Sequence, residues 1–116
     1  MKKTTLSPVD HVTDALHDLK AIGVVILDVK HLTTITDHMI IASGTSRQHV
    51  RSIANHVQEA VKKQGFSIVG AEGEQEGEWA LIDLGDIVVH VMLPEIRQYY
   101  EIEKLWNIDA DDIAVS

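Results

Sequence analysis

Two aspartates three positions apart, Asp83 and Asp86, sit where one apolar run ends and the next begins. A carboxylate pair of this kind is what nucleotidyl-transferring enzymes use to hold two metal ions. Such enzymes also need a backbone cradle for phosphate, and Ser43-Gly44-Thr45-Ser46, placed ahead of a helical stretch, offers amides that would bind an anion. No lysine follows in the phosphate-loop pattern, and strand, glycine, hydroxyl and helix in that order is also how a plain turn and cap are written. Of the seven histidines, His49 and His56 lie two turns apart on one helix, whereas a metal pair is spaced i, i+4 with a carboxylate as third ligand. His11, His17 and His31 read as surface residues, and no spacing sets up a Ser-His-Asp relay. The residues therefore assign no catalytic group, no metal site and no cofactor, and His90 reads as a hydrogen-bonding core or interface group rather than a base.

Residues 79–93 offer a different chemistry. A turn centred on Gly85-Asp86 pairs Ala80 with Val91, Ile82 with Val89 and Leu84 with Ile87 on one purely aliphatic face, which is core. The opposite face then gathers Trp79 beside Met92, Leu81 beside His90 and Asp83 beside Val88. Tryptophan, methionine and aliphatics with few charges are the composition of interface centres, where one Trp is worth ~2 kcal/mol or more. Read instead as a second covered face, the same set would have Asp83 and His90 satisfying each other or the backbone. Arg97 and Tyr100, one helical turn apart just after the hairpin, would rim the patch, although Arg97 and Lys104 alone suit a solvated helix face.

These residues must be positioned by regular elements, and the chain supplies them in a legible order. Ser7, Pro8 and Asp10 start a helix with a hydroxyl cap, a proline whose missing N–H costs nothing there, and an acidic first turn. Val9, Val12, Leu16 and Leu19 follow at helical spacing, and Gly23 is the expected stop. Residues 24–29, apolar on both faces, and 38–43 read as strands. The turn at 43–46 caps a second helix with the stripe Val50, Ile53, Ala54, Val57 and Val61, ending at Gly65. Residues 66–69 read as a short strand and 70–78 as an exposed loop of glycines and glutamates. After the hairpin, Pro94-Glu95 opens a last helix carrying Ile96, Tyr99, Tyr100, Ile102, Leu105 and Trp106, and residues 107–116 read as a frayed acidic end. The fold class is α/β, or α+β if the sheet is mostly antiparallel: a mixed sheet of about five strands with helices mainly on one side. Residues 1–106 form one domain and 107–116 a tail.

Composition narrows the function classes. The 116 residues are 45% hydrophobic and 24% charged, ordinary for one globular domain. Ten Lys+Arg against 18 Asp+Glu leave a formal charge of −8, a field that repels phosphate and disfavours a basic nucleic-acid face. With no cysteine there are no disulfides, thiolate metal sites or cysteine nucleophiles. Residues 1–10 lack the apolar stretch of an export signal and the longest apolar run is residues 24–27, so a cytoplasmic protein without membrane contact is expected.

Several separated blocks carry a resemblance: residues 35–50 (ITDHMIIASGTSRQHV), Glu72-Gly73, residues 79–92 (WALIDLGDIVVHVM) and residues 97–106 (RQYYEIEKLW). Together they closely resemble the ribosomal silencing factor family (RsfS, YbeB or Iojap), from about Ser7 to Trp106. The resemblance implies a nucleotidyltransferase-like fold not known for catalysis. It implies a translational repressor that binds the large ribosomal subunit through large-subunit ribosomal protein fourteen, blocks joining of the small subunit and damps translation when nutrients are short. Little direct nucleic-acid contact and weak salt dependence would follow. The docking residues carried over are Trp79, Leu84, His90, Met92, Arg97 and Tyr100, of which Leu84 falls on the face read as core. Trp79→Ala or Arg97→Glu is expected to abolish association with the fold intact. Two other readings compete: a nucleotide-handling enzyme resting on Asp83, Asp86 and the 43–46 turn, and a homodimer joined through the apolar patch.

Overall fold

The computed structural model describes residues 7–100 and the backbone of 113–115. Helix α1 (Pro8–Asp18) starts as its sequence dictates: the Ser7 hydroxyl accepts from the Asp10 amide while the Asp10 carboxylate accepts from the Ser7 amide, a reciprocal capping box. It buries Val12, Ala15 and Leu16 and stops well before Gly23. Leu19 caps it and Lys20 takes a φ of 60°, turning the chain straight into strand β1 (Ile22–Asp28). Gly23 instead lies inside β1, at a break in the ladder between Ile22 and Val25, with a φ of 61° that suits glycine.

Strand β2 (His38–Ser43) pairs antiparallel with β1, and Ser46 caps helix α2 (Arg47–Lys63), whose hydroxyl accepts from the His49 amide. The apolar stripe is buried as its spacing predicts: Val50, Ile53, Ala54, Val57 and Val61. Residues 66–69 are not a strand. The Phe66 amide turns back to the Val61 carbonyl, and Phe66 and Ile68 tuck against the helix-covered core. Extended pairing starts only with the Val69 amide, which donates to Asp83, and continues as β3 (Gly70–Glu72), a strand where an exposed loop was expected.

Strands β4 (Trp79–Asp83) and β5 (Ile87–Met92) form the hairpin in the expected register, and β5 lies parallel to β2. Helix α3 (Pro94–Tyr100) follows, and the expected continuation of this helix to Trp106 lies outside the described residues. Strand β6 (Ile113–Val115) pairs antiparallel with β1, so the end of the expected frayed tail adds a sixth strand where about five were expected. The order is β3-β4-β5-β2-β1-β6, antiparallel except between β2 and β5, which makes the fold α+β with a mixed sheet.

The pleat divides the side chains between two cores. Val24, Ile40, Ala42, Ala80, Ile82, Val89 and Val91 face α1 and α2. Val25, Leu27, Met39, Ile41 and Met92 form a second buried cluster on the opposite face, with Trp79 and Ile96 packed at its edge. Among the described residues no helix is long and apolar enough to cross a membrane.

Candidate docking surface

The second face is laid out by the β4–β5 ladder. Trp79 lies opposite Met92, Leu81 opposite His90 and Asp83 opposite Val88, as the Gly85-Asp86 turn predicts. On the reverse side Ala80, Ile82, Val89 and Val91 are fully buried. The turn is closed by the Leu84 amide donating to the Ile87 carbonyl at 2.8 Å, and by the Asp83 carboxylate accepting from the Gly85 amide at 2.8 Å.

Asp83 is therefore a turn residue and does not satisfy His90. The partner of His90 is the diagonal neighbour: the Trp79 indole N–H donates to His90 Nδ1 at 2.9 Å, with ring centroids 5.9 Å apart. An accepting Nδ1 places the imidazole proton on Nε2. Burial pushes the His90 pKa down to about 4, so the ring is neutral at pH 7 and suited to accept. The pair fixes the indole plane, and Met92, fully buried, supports it from below.

The structure sorts the six expected docking residues. Trp79 is half-buried and accessible at the edge of the second face. His90 and Met92 are 7% and 0% exposed, so they seat Trp79 rather than present themselves to a partner. Leu84 packs against the helix-covered core, on the reverse side of the hairpin, apart from the others. Arg97 lies on α3, and the Tyr100 side chain is outside the described residues.

Arg97 also has a structural task. Its guanidinium donates to the Ser43 hydroxyl at 3.3 Å, and a Cβ at Gly23 would sit 3.0 Å from its Nη1, so it covers the break in β1. Arg97→Glu is then not neutral for folding. It is expected to lower the urea midpoint by the equivalent of about 1–2 kcal/mol, because the hydroxyl loses its cationic donor and a carboxylate enters the same space. A midpoint equal to the wild type's would show the guanidinium to be dispensable there.

Two of the features that suggested phosphoryl chemistry, Asp83 and the 43–46 turn, are engaged elsewhere. In the 43–46 turn the Gly44 amide donates to the Met92 carbonyl and the Thr45 amide to His49 Nδ1, while His49 Nε2 reaches the Leu19 carbonyl at 2.7 Å. The amides that would cradle a phosphate thus hold the turn to β5 and α2, and His49 ties it to the end of α1. His56 pairs with Asp18, and the His11 ring, expected at the surface, leans on Phe66 at 5.6 Å. Among the described residues no three His, Asp or Glu side chains lie together as a metal site.

A feature absent from the sequence reading is the loop that seats Trp79 from its N-terminal side. Arg47 pairs with Glu78 and Arg51 donates to the Gln75 carbonyl, which ties the loop to the start of α2. Gly73, with a φ of 81°, passes so close to Trp79 that a Cβ there would stand 2.1 Å from the Trp79 carbonyl oxygen.

A family model described as "Ribosomal silencing factor during starvation" matches residues 2–116. The chain belongs to the ribosomal silencing factor family. It is 47% identical over 102 residues to the ribosomal silencing factor RsfS of Chromobacterium violaceum, which covers 88% of this chain and 84% of that one. A crystal structure of a Chromobacterium violaceum protein matches with a TM-score of 0.85 at 44% identity, over 94% of this chain and 91% of that one. A mouse protein named for mitochondrial assembly of the ribosomal large subunit is 31% identical over 107 residues, 90% of this chain and 47% of its own length. The α+β sheet described above is thus the fold of a silencing factor, and the Trp79 hairpin is part of it.

Proposed function

We propose that this protein binds the large ribosomal subunit through large-subunit ribosomal protein fourteen and bars the small subunit from joining, which damps translation when nutrients are short. The reading carries with it a non-catalytic, cytoplasmic repressor. The observation that supports it best is the half-buried Trp79, held in one orientation by a neutral buried His90 at the edge of an apolar face. A rigid aromatic anchor presented in this way is the usual centre of a protein-binding patch. Membership of the silencing factor family and the naming of a mouse relative for large-subunit assembly agree with it. A formal charge of −8 suits a protein held by another protein, since it would be repelled by bare rRNA phosphates.

Co-sedimentation with purified large and small subunits tests the proposal. The wild type is expected with large subunits only, and with less than a tenfold loss of affinity between low and moderate salt. Trp79→Ala is expected to weaken binding at least about 30-fold, the equivalent of ~2 kcal/mol. Because Trp79 also satisfies His90, the fold of that variant must be verified by circular dichroism, and Leu81→Gln, which spares the indole–imidazole bond, serves as a second variant. Unchanged binding by both folded variants would move the docking surface elsewhere. A loss of several decades with salt would mean that rRNA contacts dominate.

A further inference from the structure

Beside Trp79 lies a shallow cavity of about 280 Å³, lined by Glu72, Gly73, Trp79 and Leu81. The sheet register explains the grouping. Glu72 lies directly opposite Leu81 across β3–β4, and Trp79 is two residues from Leu81 on the same face, so the three side chains share one side of the sheet at its β3 edge. Building on the docking reading above, we propose that this notch receives one cationic side chain of the ribosomal partner, an arginine, which stacks on the Trp79 indole and pairs with Glu72.

Each wall limits what can enter. Trp79 lines the notch and its indole N–H is committed to His90, and an indole ring attracts cations. Leu81 provides an apolar wall for the methylene stem of a long side chain. Glu72 is exposed and its carboxylate makes no hydrogen bond or ion pair among the described residues, in contrast to Glu78 in the adjoining loop, which Arg47 holds. Arg47 is engaged by Glu78 and Arg51 by the Gln75 carbonyl, and among the described residues no cation lines the notch itself. An anionic rim, an aromatic wall and an apolar wall are complementary to a group that is flat, cationic and carried on a flexible stem. Arginine meets all three conditions, because its guanidinium stacks on a ring while presenting a fork to a carboxylate, whereas an ammonium is a point charge with stronger hydration.

The test compares Glu72→Gln with Glu76→Gln in the same co-sedimentation assay with isolated large subunits. Glu76 is exposed in the loop that follows β3 and is not part of the notch, so it reports the general field of this edge. Glu72→Gln is expected to weaken binding about tenfold and Glu76→Gln less than twofold, and Glu72→Arg to weaken it further than Glu72→Gln. Equal binding by Glu72→Gln and wild type overturns the notch, and so does an equal loss in the two glutamine variants, which would make the effect one of overall charge. If the wild type itself fails to bind large subunits, the docking reading fails and the notch with it. That outcome is read from the wild type alone and so is distinct from failure of the notch.

Discussion

Replacing Gly73 by alanine is expected to destabilise the protein by about 3–5 kcal/mol, whereas Gly65→Ala is expected to cost only about 1–2 kcal/mol. Both glycines occupy the left-handed region, with φ values of 81° and 90°, so each alanine carries a similar backbone strain. They differ in their surroundings. Nothing lies within 4 Å of a Cβ at Gly65, but at Gly73 the Cβ would stand 2.1 Å from the Trp79 carbonyl oxygen. That oxygen belongs to the strand backbone and cannot swing aside, so either β4 or the loop must shift, and the ties from Arg47 and Arg51 resist the loop's movement. Urea unfolding of the two variants checks this, the difference in midpoint isolating the contact from the strain. Equal midpoints would mean that the loop yields and that Gly73 does not set the position of Trp79. A further consequence is weaker docking by any Gly73→Ala molecules that still fold, since Trp79 and the notch beside it share that backbone.

The hairpin register was legible because two constraints agree: a Gly-Asp pair where only a short turn fits, and the purely aliphatic face that this turn assembles from Ala80, Ile82, Val89 and Val91. A slip of one residue would have carried Ile82 and Val89 out of the core. The same logic could not decide which polar neighbour His90 takes. Asp83 and Trp79 lie diagonal to it on either side, and Asp83 is claimed by the Gly85 amide of the turn, an interaction that leaves no mark on the alternation. Nor does a list of apolar residues say how deeply each is covered, which is why Met92 reads as a contact in sequence and is fully buried in the fold. Gly70–Glu72 has no apolar alternation and is a strand because the β4 edge offers it hydrogen bonds. Ile113–Val115 was hidden by the aspartates that precede it, whose charge weighs more in a composition reading than three residues that pair with β1. Helix α2 is the opposite case, since cap, stripe and terminal lysines all point one way and tertiary packing had nothing to override.

Lowering the pH from 7 to 4 is expected to remove about 3 kcal/mol of stability through His90 alone. In the unfolded chain the imidazole titrates near its ordinary value of 6.5, while in the fold burial holds it at about 4. Between those values the unfolded chain binds a proton that the folded chain refuses, so the contribution is complete above pH 6.5 and is lost as the pH falls through the window. The slope is about 1.4 kcal/mol per pH unit, and below about pH 4 it vanishes because both states are then protonated. Carboxylates also titrate toward the acid end, so the measurement is a difference: urea unfolding of the wild type and of His90→Gln across the pH series. Glutamine keeps an acceptor for the indole N–H and cannot take up a proton, so its stability curve should be flatter by that amount between pH 6.5 and 4. Parallel curves would mean that solvent reaches the imidazole freely. The same proton has a local effect, because a protonated Nδ1 no longer accepts the Trp79 N–H, and the indole loses the bond that fixes its plane. Acid should therefore loosen Trp79 before it unfolds the sheet, seen as a shift of the indole N–H resonance that is absent in Trp79→Phe. The docking surface is in this sense organised by a histidine that must stay uncharged, and its second-face burial is what keeps it so.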